Sequence, residues 1–175
     1  PTSARIGFHD SVAAINALNI MMGNKGAIVV DIDPAKRDAA KKAGAMAVVD
    51  GNAPDAAKQI IKLTNGGAWA VIDYVGSSAT VQLGVDAITK GGKVIVVGLF
   101  GGDITVPTPF FPLRAMTIQG SYVGSLPEMK ELLALVRAKG LPPVPLKTRP
   151  LDDVAAVLDE LRAGKVIGRI VLTPA

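Results

Sequence analysis

The sequence predicts an α/β protein built on a doubly wound parallel sheet, with a carboxyl-terminal helix–strand extension. Two observations carry this. Short apolar, β-branched runs at 27–30, 68–72 and 93–98 alternate with helical stretches along the chain. The joints between them are short and glycine-rich, as at Asn65-Gly-Gly67 and Lys90-Gly-Gly92. The right-handed crossover rule then leaves few topologies other than a sheet covered by helices on both faces.

The elements follow in order. Residues 4–8 read as a first strand and 12–22 as the helix after it. The run 27–30 is a second, buried parallel strand that ends on Asp31. Asp33-Pro34 opens the next helix: Asp33 can accept from the free first-turn amides, and Pro34 suits the first helical position. That helix spans 35–42 and Gly44 ends it. A third strand at 45–49 reaches the turn Asp50-Gly-Asn52, and an amphipathic helix at 53–64 follows. Strand 68–73 leads to a helix at 77–89 capped by Ser77 or Ser78, and then to the fifth strand at 93–98. From Leu99 the texture changes to a proline-rich, apolar stretch reaching Pro112, and a sixth strand at 116–122 comes after it. Ser125 and Glu128 have capping-box spacing and start a helix through Arg137. Residues 141–145 read as an extended connector, and a helix at 152–163 and a strand at 168–173 close the sequence. The expected division is a dinucleotide-binding domain over 1–123 and a carboxyl-terminal segment over 124–175.

Composition narrows the function. At 175 residues, 49% of them hydrophobic and 19 of them glycine, the chain suits one α/β domain, or one domain plus an incomplete neighbour. No apolar run reaches the ~18 residues of a membrane span, and the opening Pro-Thr-Ser-Ala-Arg lacks the apolar region of a signal peptide, so the expectation is a cytoplasmic protein away from membranes. The chain has no cysteine and one histidine, His9, which argues against disulfides, thiolate zinc sites and histidine metal clusters. A net charge of +4 comes from scattered lysines and arginines with no interleaved aromatics, so nucleic acid is not an expected partner.

The residue that points to a ligand is Asp31. A carboxylate at the carboxyl end of a second parallel strand is where dinucleotide-binding folds hold the adenosine ribose; equally, Asp31 can simply end a strand at the surface. The separation from Gly7 to Asp31 is close to the ~20 residues usual between a glycine fingerprint and its acid. If Gly7 is the first glycine of that fingerprint, however, the second and third positions hold His9 and Val12. Both carry a Cβ where close approach to pyrophosphate and close helix packing favour none, and Asp10 adds negative charge. The register fits a fingerprint; the side chains do not.

The succession as a whole resembles the carboxyl-terminal half of the medium-chain, zinc-type alcohol dehydrogenases, from Arg5 to Pro174. The pieces that carry the likeness are Val30-Asp-Ile-Asp-Pro-Ala-Lys-Arg37, Asp73-Tyr-Val-Gly-Ser77, Gly91-Gly-Lys-Val-Ile-Val-Val-Gly98, Ile118-Gln-Gly-Ser-Tyr122, and Leu161-Arg-Ala-Gly-Lys165 with Gly168-Arg-Ile-Val-Leu172. The resemblance implies a Rossmann-like fold that binds NAD. Asp31 would hold the adenosine ribose with Lys36 beside it, and Gly7 and Ser11 would lie in the phosphate turn. Val75 and Gly76, with Val97, Gly98 and Leu99, would line the nicotinamide half, and backbone groups from Ser121 to Val123 would meet the carboxamide. Arg169 would reach the pyrophosphate. Val75 and Val97 also fit core positions, and Lys36 and Arg169 also fit solvated charges. The family's zinc ligands and proton-relay groups come mainly from an amino-terminal domain outside this sequence, so the expectation is a coenzyme-binding part with no catalytic or metal-binding residue of its own and no activity alone.

Two other functions remain open at this stage. One is a non-catalytic dimerisation or docking module with a degenerate dinucleotide site; the other is a zinc-free, NADPH-using reductase of the same superfamily. Asp31 speaks against the latter, since it would repel a 2′-phosphate and no arginine follows it directly. The expected partner is a second copy of the chain. The strand at 117–122 should lie at a sheet edge, and the apolar 106–113 stretch beside it suits a twofold interface through 106–122.

Overall fold

The computed structural model describes residues 26–139 and 145–174. The first strand, the first helix, and Gly7, His9, Asp10, Ser11 and Val12 lie outside the described residues. The described order is β1 (Ile28–Asp31), α1 (Pro34–Lys42), β2 (Ala47–Asp50), α2 (Ala56–Leu63), β3 (Ala68–Asp73), α3 (Ser78–Ala87), β4 (Ile88–Val96), α4 (Phe110–Arg114), β5 (Thr117–Gly120), α5 (Leu126–Lys139), β6 (Leu146–Pro150), α6 (Val154–Arg162) and β7 (Arg169–Thr173). All strand pairs are parallel: β1 with β2, β4 between β3 and β5, and β6 with β7. The expected α/β architecture of parallel strands and intervening helices is the one observed.

The double winding is visible in how β1 distributes its side chains. Ile28 and Val30 join Val49, the α2 residues Ala56 and Ile60, and Val71, Val85 and Val94 of the next strands and helix in one buried core. Val29, on the other face, packs with Ala40 of α1 and with Ala45. Alternate residues of a strand point to opposite faces, so an unbroken apolar run serves a strand covered on both sides.

Helix starts follow the local sequence. Asp33 Oδ1 accepts from the Ala35 amide at 2.8 Å, with Pro34 in the first turn. Ser77, rather than Ser78, caps α3 in a reciprocal box with Thr80. Ser125 and Glu128 form the expected box at the start of α5, the Glu128 carboxylate accepting from the Ser125 amide at 2.6 Å and its hydroxyl at 2.7 Å.

Several expected boundaries change. The helix expected to reach residue 89 stops at Ala87, and Ile88 already pairs with Ala68 in β4. Arg114 takes over at this end, its Nη1 donating to the Val85 carbonyl at 3.1 Å and its Nη2 to that of Ile88 at 2.7 Å. A guanidinium there satisfies carbonyls left open at a helix carboxyl end and complements its dipole. The strand stops at Val96, not at residue 98, because the Val97 and Gly98 amides both turn to the Asp73 carbonyl, at 2.8 and 3.0 Å. The proline-rich stretch contains a short helix, α4, and β5 ends at Gly120. Strand β6 falls between the connector expected at 141–145 and the helix expected at 152–163, where no element is expected. Its Leu-Lys-Thr-Arg-Pro has no apolar run, and it is strand because it pairs along its whole length with β7.

Candidate functional site

In a parallel sheet the strands share a direction, so their carboxyl ends and the loops that leave them gather on one side, where such folds bind ligands. Asp31 ends β1. Its side chain is buried, and Oδ1 accepts from the Asp33 amide at 2.9 Å. Its carbonyl accepts from Arg37 Nη1 at 2.7 Å, while Arg37 Nη2 lies 3.3 Å from Asp50 Oδ2 at the end of β2. Arg37 thus ties the two strand ends together without occupying the Asp31 carboxylate. Among the described residues no donor is directed at Asp31 Oδ2. A buried oxygen of a carboxylate that lacks a donor is costly, and a sugar hydroxyl would supply one.

Lys36 lies in the first turn of α1, half-buried, and its Nζ lies beside Gly164 at the end of α6. The structure therefore places it against the turn that follows α6. Arg169 starts β7; its amide donates to the Pro145 carbonyl at 2.8 Å and its Nη1 to the Gly168 carbonyl at 3.1 Å.

The segments expected to line the nicotinamide half do lie side by side. Val75 is half-buried and packs against the core, and Gly76 has a positive φ of 69°. Beyond the strand ends the two loops continue to pair: the Phe100 amide donates to the Val75 carbonyl and that of Gly101 to the Gly76 carbonyl, each at 3.0 Å. Gly76 and Gly98 leave no room for side chains between the two loops: a Cβ on Gly76 would overlap the main chain of Gly98, and one on Gly98 would overlap that of Val75 and Tyr74. Val97 is half-buried, and Leu99 is exposed at 79%. The Ser121 amide donates to the Val96 carbonyl at 2.8 Å, so this amide is already engaged within the sheet.

Sequence reading missed Asp73. This aspartate is fully buried, and Oδ1 accepts from the amides of Val75 at 2.8 Å and Gly76 at 3.0 Å. Oδ2 accepts from the Thr80 hydroxyl at 2.7 Å. The available signal was an acid closing an apolar strand, the same pattern that singles out Asp31.

Comparison with known proteins agrees with this geometry. A model of the zinc-binding dehydrogenase family matches residues 11–138. The NAD-dependent alcohol dehydrogenase of Sulfurisphaera tokodaii is 33% identical over 161 residues, covering 90% of this chain and 46% of the relative. Alcohol dehydrogenase 1 of Caenorhabditis elegans is 35% identical over 150 residues, covering 84% and 43%. Among solved structures, the alcohol dehydrogenase of Aeropyrum pernix superposes with a TM-score of 0.88 at 31% identity, covering 99% of this chain and 51% of that one. The chain spans about half the length of the relatives it matches. Buried strand-end carboxylates, paired glycine loops and these likenesses lead to one conclusion: the chain belongs to the zinc-binding dehydrogenase family.

Proposed function

We propose that this chain is the NAD-binding part of an oxidoreductase that transfers hydride between an alcohol and NAD. The observation that carries the reading is Asp31: a buried carboxylate at the end of β1 with one oxygen held by Asp33 and the other open to a hydroxyl among the described residues. It accepts the two adenosine ribose hydroxyls and disfavours a 2′-phosphate, so the coenzyme is NAD rather than NADP. The names of relatives, NAD-dependent alcohol dehydrogenases, support the same choice. Bound NAD supplies the hydride acceptor. The chain's own residues orient it: Lys36 and Arg169 add positive charge, and the 75–76 and 97–99 loops with the backbone from Ser121 to Val123 form the wall for the ring.

Zinc does not fit the residues of this chain. With no cysteine and one histidine it lacks the nitrogen and sulfur donors that zinc sites use. The groups that activate the alcohol would therefore belong to the family's other domain. Residues 124–175 are assigned to completing or packing on that domain. We assign the apolar 106–122 region to a twofold interface between copies: β5 lies at the edge of its sheet, and Phe110, Phe111 and Leu113 are exposed beside it. A non-catalytic docking module would share this surface but not the coenzyme. Isothermal titration of NADH and NADPH into the purified chain separates the readings: binding that prefers NADH supports the proposal, and binding of neither contradicts it.

A further inference from the structure

Asp73 differs from an ordinary strand-end residue in how much of the site it organises. Its carboxylate holds the Val75 and Gly76 amides and the Thr80 hydroxyl, and its carbonyl holds the Val97 and Gly98 amides. One fully buried residue therefore contacts both loops assigned to the nicotinamide half. The helix behind them does not require it, because Ser77 already caps α3 together with Thr80. Thr80 accepts from the Ser77 amide at 3.1 Å while its hydroxyl reaches Asp73 Oδ2, so the carboxylate is fixed against the start of α3. A buried carboxylate is tolerated only when its hydrogen bonds are satisfied, and satisfied buried networks rigidify what they touch.

Resting on the coenzyme reading above, we propose that Asp73, oriented by Thr80, is a positioning residue for the nicotinamide ring: it sets the 75–76 and 97–98 backbone that forms one wall of the ring's pocket. Among the described residues its hydrogen bonds go to Val75, Gly76, Thr80, Val97 and Gly98, and none to Asp31, Asp33 or Arg37. Its effect is thus confined to the nicotinamide half of the coenzyme, which a purely structural role would not produce.

The test compares NADH with ADP-ribose, which carries the same adenosine end and lacks the ring. Both are titrated into the unaltered 175-residue chain and into Asp73→Asn and Thr80→Val; the second change keeps the side-chain shape but also opens the Ser77–Thr80 cap, so the effect common to both variants is the one that counts. The expected result is ADP-ribose affinity within about twofold of the unaltered chain and NADH affinity lowered about tenfold, the equivalent of one well-made hydrogen bond to a charged group. The fluorescence of bound NADH should shift toward that of the free coenzyme in the same variants. Equal losses for both ligands, or no loss for either, would overturn the positioning role while leaving the coenzyme reading intact. An unaltered chain that binds neither ligand would overturn the coenzyme reading, and this role with it.

Discussion

Gly76 and Gly98 lie in direct backbone contact where the chains leave β3 and β4, with no room for a side chain at either position. The contact exists because both loops are drawn to Asp73, and it lets the 75–77 and 98–101 segments run as a continuation of the parallel ladder, closed by a bridge between Ser77 and Gly101. A sheet that would otherwise fray at its carboxyl ends is in this way extended into the site.

Gly76→Ala should destabilise the chain by about 2–4 kcal/mol, the sum of an intruding methyl group in a closed contact and a left-handed backbone that disfavours a Cβ. Urea unfolding measures it. A midpoint unchanged from that of the unaltered chain would show that the two loops separate freely.

Replacing His9, Asp10 and Val12 together by glycine should tighten NADH binding, because backbone amides at a helix start approach phosphate more closely without side chains between them. Titration of the triple variant checks this, and no gain would reject the sequence argument that these positions impede pyrophosphate.

The carboxyl of Glu128 sits below the ordinary glutamate range, held there first by the Ser125 backbone amide and then by the Ser125 hydroxyl. A lowered folded value means that the cap's contribution is complete above the ordinary glutamate pKa and is lost as pH falls through the lowered one. Carbon-detected titration should find the Glu128 midpoint below that of a free glutamate, and Ser125→Ala should move it back up. Identical midpoints in the two proteins would disprove the hydroxyl's share and leave the Ser125 amide as the cause.

Phe110 and Phe111 are 43% and 39% exposed on the short helix next to the edge strand β5. Sedimentation at micromolar concentration should show a dimer, and changing both to serine should weaken it about 1000-fold, given ~2 kcal/mol for each lost aromatic anchor. A monomer unaffected by the change would remove the interface.

How much of this was legible in the sequence depends on where each signal resides. Strands β1, β3 and β4 announce themselves because a strand buried on both faces must be apolar throughout, and the caps at Asp33, Ser77 and Ser125 are local chemistry that the spacing displays. Strand β6 was not legible, because Leu-Lys-Thr-Arg-Pro becomes strand only through its pairing with β7, a contact distant in sequence. The same holds for Arg114, whose partners Val85 and Ile88 belong to the preceding helix and strand. In the site, Asp31 stood out by position alone. Asp73 did not, since its role depends on amides at 97 and 98 that only the folded sheet brings to it.

The central claim is that Asp31 holds the adenosine ribose, and the most direct measurement is the NADH affinity of Asp31→Ala by isothermal titration. Losing a charged, two-hydroxyl contact should weaken NADH by about 1.5–3 kcal/mol, or roughly 10- to 150-fold, and should erase the preference over NADPH. Unchanged NADH affinity in Asp31→Ala would contradict the assignment.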